Sequence, residues 1–194
     1  MLDTHARKYV NPAIEKGADF FLGLKLKPNH VTMLALFIGI MTSVFAYFDM
    51  GILAVAVLWF SGYLDAVDGA MARKSGTTSY FGTLMDIVSD RIVEAGIILV
   101  MALKFSNAGV SLVVLSLSIL MSMTIFLTVG ACTEKQGMKS FYYQAGVAER
   151  SEGFIMLSLM ILFSSHVVII SYIFSAMILF TACQRFLEAK KILK

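Results

Sequence analysis

The chain has 194 residues, of which 58% are hydrophobic and only 15% are charged, and its formal net charge is +3. The mean hydropathy is +0.80. Soluble domains carry roughly 25% charged residues, so this composition excludes an ordinary soluble enzyme. Two prolines and two cysteines also argue against a disordered chain and a disulfide framework. The composition predicts an integral membrane protein.

The first 27 residues precede any apolar run and carry charges of both signs. Val10, Ile14, Phe21 and Leu24 fall on one side of a helix, which predicts an amphipathic helix over 4–23 in the cytoplasmic membrane interface. The alternative is a solvated helix that packs on the rest of the protein.

Six runs that follow are apolar enough to form membrane helices. They are 31–48, 51–72, 80–103, 108–132, 152–166 and 167–187. We therefore predict an all-α integral membrane protein with six transmembrane helices and the N-terminal interfacial helix. It forms a single domain over 1–194, with a segment at 1–27, a bundle at 28–187 and a tail at 188–194.

The basic residues predict the orientation of these spans. With six spans, 14 of the 16 lysines and arginines fall on one side of the membrane. The exceptions are Lys104, on the other side, and Arg91, inside the third span. Positive charge stays in the cytoplasm, so both termini are expected there. The small size of the chain favours the cytoplasmic membrane of a prokaryote.

Five carboxylates lie inside the apolar runs, where burying a charge is costly and usually has a function. They are Asp65, Asp68, Asp86, Asp90 and Glu94. The i, i+3 spacing of the first pair and the i, i+4 spacing of the second place each pair on one helix face. Two facing helices would gather four carboxylates, which must protonate, pair with cations or bind metal. An oxygen-only donor set suits Mg²⁺, Mn²⁺ or Ca²⁺, whereas Glu94 has Arg91 as a natural partner three residues earlier.

The residues around the acids suggest a phosphate ligand. Gly69 and Gly82 leave room for a ligand against the backbone, and Arg73, at the cytoplasmic end of its span, suits a phosphate. The site should therefore open to the cytoplasm.

The run Asp65-Ala-Val-Asp68-Gly69-Ala-Met-Ala72-Arg73, followed after eight residues by Gly82-x-x-x-Asp86-x-x-x-Asp90, resembles a known signature. It is similar to that of the CDP-alcohol phosphotransferases, D-x-x-D-G-x-x-A-R, eight residues, G-x-x-x-D-x-x-x-D. The segment Pro28-Asn29-His30-Val31-Thr32 resembles the P-N-x-[IV]-T of the same family.

The resemblance implies a six-span enzyme that transfers a substituted phosphoryl group from a CDP-linked lipid alcohol to a hydroxyl acceptor and releases CMP. Asp65, Asp68, Asp86 and Asp90 would hold two divalent cations, Mg²⁺ or Mn²⁺, with Asp90 also the general base. The CDP-binding positions would be Asn29, Thr32, Asp68, Gly69, Arg73 and Ser79. Family members commonly form homodimers, and the expected partners are the CDP-lipid donor, the alcohol acceptor and membrane lipid, with no nucleic acid.

Two short motifs favour inositol phosphate as the acceptor. Asp86-Ile-Val-Ser-Asp90-Arg91 and Glu149-Arg150 resemble elements of the phosphatidylinositol-phosphate synthase-like branch. Arg150, with Lys135 and Lys139, is the predicted anion-binding set for the acceptor. Glycerol 3-phosphate, serine and other alcohols stay open as acceptors. A cation-binding transporter is the competing class, although neither paired repeats nor broken helices are visible.

Overall fold

The structure, a computed structural model, describes residues 2–132 and 150–193. In these ranges the chain forms seven α-helices and two single 3₁₀ turns, at Ser106–Ala108 and Ser164–His166. The helices are α1 Leu2–Gly23, α2 Pro28–Tyr47, α3 Gly51–Ser75, α4 Tyr80–Lys104, α5 Gly109–Cys132, α6 Arg150–Leu162 and α7 Val167–Ile192. They divide into two compact units, Thr4–Lys104 and the helices that follow Lys104.

Four of the described helices, α2, α3, α5 and α7, are long and apolar enough to cross a membrane. The prediction of an all-α multi-pass membrane protein is therefore confirmed. Helix α4 has 25 residues and, at about 37 Å, is long enough for a bilayer core, but its charges lower its hydropathy. Helix α6 has 13 residues from Arg150 to Leu162, about 20 Å in length. The count of six spans stays a prediction, as does the single domain.

The helices of the first unit begin and end where local chemistry predicts. Pro28 occupies the first turn of α2, where its missing N–H costs nothing. Gly76 ends α3 in the left-handed region at φ +64°. The Oγ of Ser79 accepts a 3.0 Å hydrogen bond from the backbone N–H of Gly82, and so caps the N-terminus of α4.

Helix α2 is the centre of the first unit, because it packs along both α3 and α4, whereas α3 and α4 contact each other little. Small residues make these contacts close. The hydroxyl of Ser61 on α3 donates a 2.8 Å hydrogen bond to the carbonyl of Ala35 on α2. A Cβ added to Gly39 of α2 would overlap Val93 of α4. Helix α2 therefore sets the positions of both acid-bearing helices.

Helix α1 packs on the same unit. Ala18 is fully buried in a cluster with Leu64 and Val67 of α3, and Ile14 and Phe21 pack against that cluster. The predicted N-terminal helix is thus present, with part of its apolar side against protein. Phe20 of α1 and Leu24, which follows it, remain exposed. The location of α1 in the membrane interface stays a prediction.

A lysine joins α4 to α2 at the end distant from the α3–α4 loop. The Nζ of Lys104 donates to the carbonyls of Ala46, at 3.0 Å, and Tyr47, at 3.2 Å. It also forms an ion pair with Asp49. Cations are favourable at a helix C-terminus, where carbonyls lack helical partners.

In the second unit, α5 and α6 both pack on α7. The predicted break between the last two spans, at residues 166 and 167, agrees with the start of α7 at Val167. Several buried hydroxyls in this unit, such as those of Ser118 and Ser175, bond to carbonyls of their own helix. These bonds satisfy polar side chains that would be costly to bury without a partner.

Candidate active site

The first two acids lie on α3 within an apolar environment. Asp65 and Asp68 are each only 6% exposed, and Leu64, Val67 and Met71 of the same helix are almost fully buried. Their i, i+3 spacing places both carboxylates on one face. Ionised carboxylates are stable at such positions only with compensating charge or hydrogen bonds.

The second two acids, Asp86 and Asp90, are half-buried on α4. Because α3 and α4 are joined by the short loop 76–79, distance along each helix from that loop gives the level of each acid. Asp68 and Asp86 lie about 10 Å from the loop, whereas Asp65 and Asp90 lie about 15 Å from it. The four acids therefore form two levels, each with one residue from each helix.

The four carboxylates are the chemical donor set of a hard divalent cation, since all their ligating atoms are oxygen. Within residues 2–132 and 150–193, no three or more Asp, Glu, His or Cys side chains are grouped so as to hold a metal ion. Helices α3 and α4 both pack on α2 and have few direct contacts with each other. Metal binding by these acids stays a prediction.

Two predicted donor-binding residues, Asn29 and Ser79, meet at the start of α4. A Cβ added to Gly82 would lie 3.2 Å from Ser79 Oγ and 3.4 Å from Asn29 Oδ1. The absence of a side chain at Gly82 thus leaves a polar niche between the first turns of α2 and α4. Thr32, one turn after Asn29, is buried and donates a 3.2 Å hydrogen bond to the carbonyl of Pro28. Its hydroxyl oxygen still has acceptor capacity.

The end of α3 brings a guanidinium beside the other motif glycine. Arg73 is exposed, and its Nη1 lies 3.4 Å from the Cβ that a side chain at Gly69 would have. The guanidinium thus lies in van der Waals contact with the position of a Cβ at Gly69. Deeper in α4, Arg91 forms the predicted ion pair with Glu94. That confirmed contact gives both residues a structural role.

The predicted acceptor residues are only partly described. Arg150 is exposed at the start of α6, with its guanidinium 6.0 Å from the ring centre of Phe154. Lys135 and Lys139 lie outside the described residues.

Arg185 of α7 is one of the basic residues that were used only to predict the orientation of the spans. It is 9% exposed and stacks on Phe126 at 5.0 Å. Its position within a long apolar helix is the signal that could have identified it.

The acids on α3 and α4, the motif glycines and the guanidinium beside Gly69 agree with the phosphotransferase signature in the sequence. The family model described as CDP-alcohol phosphatidyltransferase matches residues 25–184. The chain belongs to this family, and it is an enzyme that transfers a phosphatidyl-type group from a CDP-linked alcohol to a hydroxyl acceptor.

Relatives and solved structures agree with this membership. Archaetidylinositol phosphate synthase of Pyrococcus horikoshii is 30% identical over 185 residues, which cover 95% of each chain. Phosphatidylinositol phosphate synthase of Mycobacterium marinum is 32% identical over 142 residues, 70% of this chain and 58% of the relative.

Among solved structures, Mycobacterium tuberculosis phosphatidylinositol phosphate synthase with CDP-DAG bound has a TM-score of 0.74 at 18% identity, covering 91% of this chain and 92% of the other. The same enzyme with manganese and citrate has a TM-score of 0.70 at 21% identity, with 91% and 88% coverage. These likenesses confirm the fold.

Proposed function

We propose that the protein synthesises an inositol-phosphate phospholipid by transferring a phosphatidyl-type group from a CDP-linked lipid to inositol phosphate with release of CMP. The observation that carries this proposal is the likeness along 95% of the chain to an archaetidylinositol phosphate synthase. The branch motifs at Asp86–Arg91 and Glu149–Arg150 support the same acceptor.

The donor binds around the two motif glycines in this proposal. Asn29 and Ser79, which meet at Gly82, bind the CDP group together with Thr32 and Asp68. Arg73 lies beside Gly69 and binds the diphosphate, where its fixed fork of donors suits phosphate oxygens. The lipid chains remain in the bilayer while the headgroup reacts near its surface.

Two divalent cations, Mg²⁺ or Mn²⁺, complete the site, held by Asp65, Asp68, Asp86 and Asp90. Bound cations supply charge stabilisation for the attacking and leaving oxygens. The oxygen-only donor set and the two matched levels of acids on α3 and α4 support this assignment. The relative crystallised with manganese fits the same choice of ion.

Asp90 is the general base in this proposal. It accepts the proton of the acceptor hydroxyl as that oxygen bonds to the β-phosphorus and the bond to the CMP oxygen breaks. Arg73 stabilises the charge that develops on the departing CMP phosphate. A carboxylate suits this role because a hydroxyl near divalent cations needs only a modest base.

The acceptor phosphate is bound by cations that follow α5. Arg150 provides a bidentate contact, with Lys135 and Lys139 as supporting charges. Arg185 is added to this set because it is a buried guanidinium within an apolar helix, where a charged side chain usually has a function. A phosphate dianion approaching four acids needs such positive charge.

The proposed setting is a prokaryotic cytoplasmic membrane, crossed six times, with both termini and the active site in the cytoplasm. The positive-inside distribution of basic residues supports this orientation. The active form is a homodimer, as is common in the resembled family.

The test is an assay of the purified protein for CMP release with Mn²⁺ or Mg²⁺. CDP-diacylglycerol and its ether-linked counterpart are each combined with inositol phosphate, glycerol 3-phosphate, serine or free inositol. We expect release of CMP with inositol phosphate at a kcat/KM at least ten times that with the others. Preference for glycerol 3-phosphate or serine would overturn the assignment of inositol phosphate as the acceptor. Absence of CMP release with every alcohol would favour the competing transporter hypothesis.

A further inference from the structure

An ion-pair network joins α1 to the end of α3. The Nζ of Lys74 lies 2.6 Å from Glu15 Oε2 and 2.7 Å from Asp19 Oδ1. It also donates to the backbone carbonyl of Glu15 at 3.4 Å. Glu15 and Asp19 are spaced i, i+4, so both carboxylates face the same lysine from one side of α1.

The adjacent residue, Arg73, points elsewhere. Consecutive helical residues are rotated by about 100°, so neighbouring side chains diverge. The guanidinium of Arg73 lies beside Gly69, whereas the ammonium of Lys74 lies between two acids of α1. The last turn of α3 thus presents one cation to the proposed donor site and another to α1.

Other contacts dock α1 along the preceding turns of α3. The hydroxyl of Tyr63 donates a 3.0 Å hydrogen bond to the carbonyl of Ala13, and a Cβ at Gly17 would overlap that hydroxyl. The hydroxyl of Ser75 bonds within its own turn, to the carbonyl of Met71 at 2.8 Å. Backbone hydrogen bonds from Gly76 and Thr77 cap the carbonyls of Arg73 and Ala72, and the Lys74 side chain adds a restraint on this turn from outside α3.

We propose that Lys74 is a positioning residue for donor binding, which holds Arg73 in place by tying the last turn of α3 to α1. This inference rests on the proposed function, in which Arg73 binds the donor diphosphate. Without the tie, Arg73 samples more orientations and binding of the CDP-lipid weakens. Once the donor is bound, its diphosphate holds Arg73 in place, so Arg73 still stabilises the departing CMP phosphate and the effect is on the donor KM.

The test compares Lys74→Met with wild type in steady-state kinetics and in hydrogen exchange of the α1 amides. We expect a donor KM raised roughly two- to five-fold, the size set by an exposed ion pair, with kcat and the acceptor KM unchanged. Amides of α1 should exchange faster. Lys74→Arg should retain most of the wild-type donor affinity, and Lys16→Met, which removes an exposed lysine from α1, should behave as wild type.

Two further variants separate positioning from direct contact with the donor. Asp19→Asn should raise the donor KM in the same direction, and the exchange Lys74→Glu with Asp19→Lys should restore it. If Lys74 itself bound phosphate, Asp19→Asn would leave the KM unchanged or lower it, and the exchanged pair would be the worst variant. That pattern, or a wild-type donor KM in Lys74→Met, would overturn the inference.

Arg73→Ala tests the underlying assignment independently. A raised donor KM in Arg73→Ala with wild-type behaviour of Lys74→Met refutes only the role of Lys74. A wild-type donor KM in Arg73→Ala refutes the proposed donor site instead.

Discussion

At the scale of single residues, substitutions of the acids on α3 and α4 test the proposed metal site most directly. Asp65→Asn, Asp68→Asn and Asp86→Asn should each abolish Mn²⁺ binding and nearly all CMP release. Because each removes a like charge from an acidic set, each should also raise the melting temperature of the metal-free protein.

Calorimetric Mn²⁺ titration, the CMP assay and thermal unfolding measure these three effects. Asp49→Asn is the matched control, since Asp49 is a carboxylate outside the site that pairs with Lys104. Any of the three site variants with wild-type turnover and wild-type Mn²⁺ dependence would contradict the ligand assignment.

Asp90 should differ from the other acids in its kinetics. As the base, it acts in the transition state, so Asp90→Asn should lower kcat by about 10²–10⁴-fold and change donor affinity little. Single-turnover kinetics and equilibrium binding of the CDP-lipid separate the two quantities. Loss of donor binding in parallel with turnover would identify Asp90 mainly as a metal ligand.

Arg150 provides the residue-scale test of the acceptor. Arg150→Ala should raise the KM for inositol phosphate roughly 10-fold, about 1.4 kcal/mol of binding, and leave the donor KM unchanged. Arg150→Lys should recover part of this loss, because lysine lacks the bidentate geometry. Lys190→Ala, which removes an exposed cation near the end of α7, serves as control. Unaltered kinetics of Arg150→Ala with every phosphorylated alcohol would refute the assignment.

At the scale of helices, hydropathy located most elements correctly because a run of apolar residues has few other uses. The packing around α2 was not predictable, since it depends on where a small residue meets a larger one, such as Gly39 with Val93. The packing of α1 was not predictable either. Its apolar residues Ile14 and Phe21 fit a helix that faces lipid as well as one that packs on protein. The meeting of Asn29 and Ser79 at Gly82 followed only from the family resemblance.

The close approach of α2 and α4 gives a prediction at this scale. Gly39→Ala should destabilise the fold by about 1–3 kcal/mol, because the new methyl group overlaps Val93 and crowds Ser61 Oγ. The measurement is thermal unfolding in detergent. Gly109→Ala, where no atom lies within 4 Å of the added Cβ, is the control. Val93→Ala should partly rescue Gly39→Ala; absence of rescue would contradict this packing.

At the scale of the whole molecule, the six-span topology makes a labelling prediction. In a chain with Cys132 and Cys183 replaced by alanine, Asn107→Cys and Ser165→Cys should react with a membrane-impermeant maleimide in intact cells. Thr77→Cys should react only after permeabilisation. If α4 did not cross the membrane, Asn107→Cys would be labelled only after permeabilisation, which would contradict the six-span topology.

The contact between Lys104 and the end of α2 also bears on how the chain inserts. Lys104 is the one basic residue on the proposed outer side, where a bare ammonium would oppose translocation of its loop. Its charge is matched by Asp49, and its N–H groups bind two backbone carbonyls. The pair therefore adds no net charge to the outer surface. Because Lys104 crosses the membrane together with Asp49, the excess of positive charge on the cytoplasmic side is unchanged.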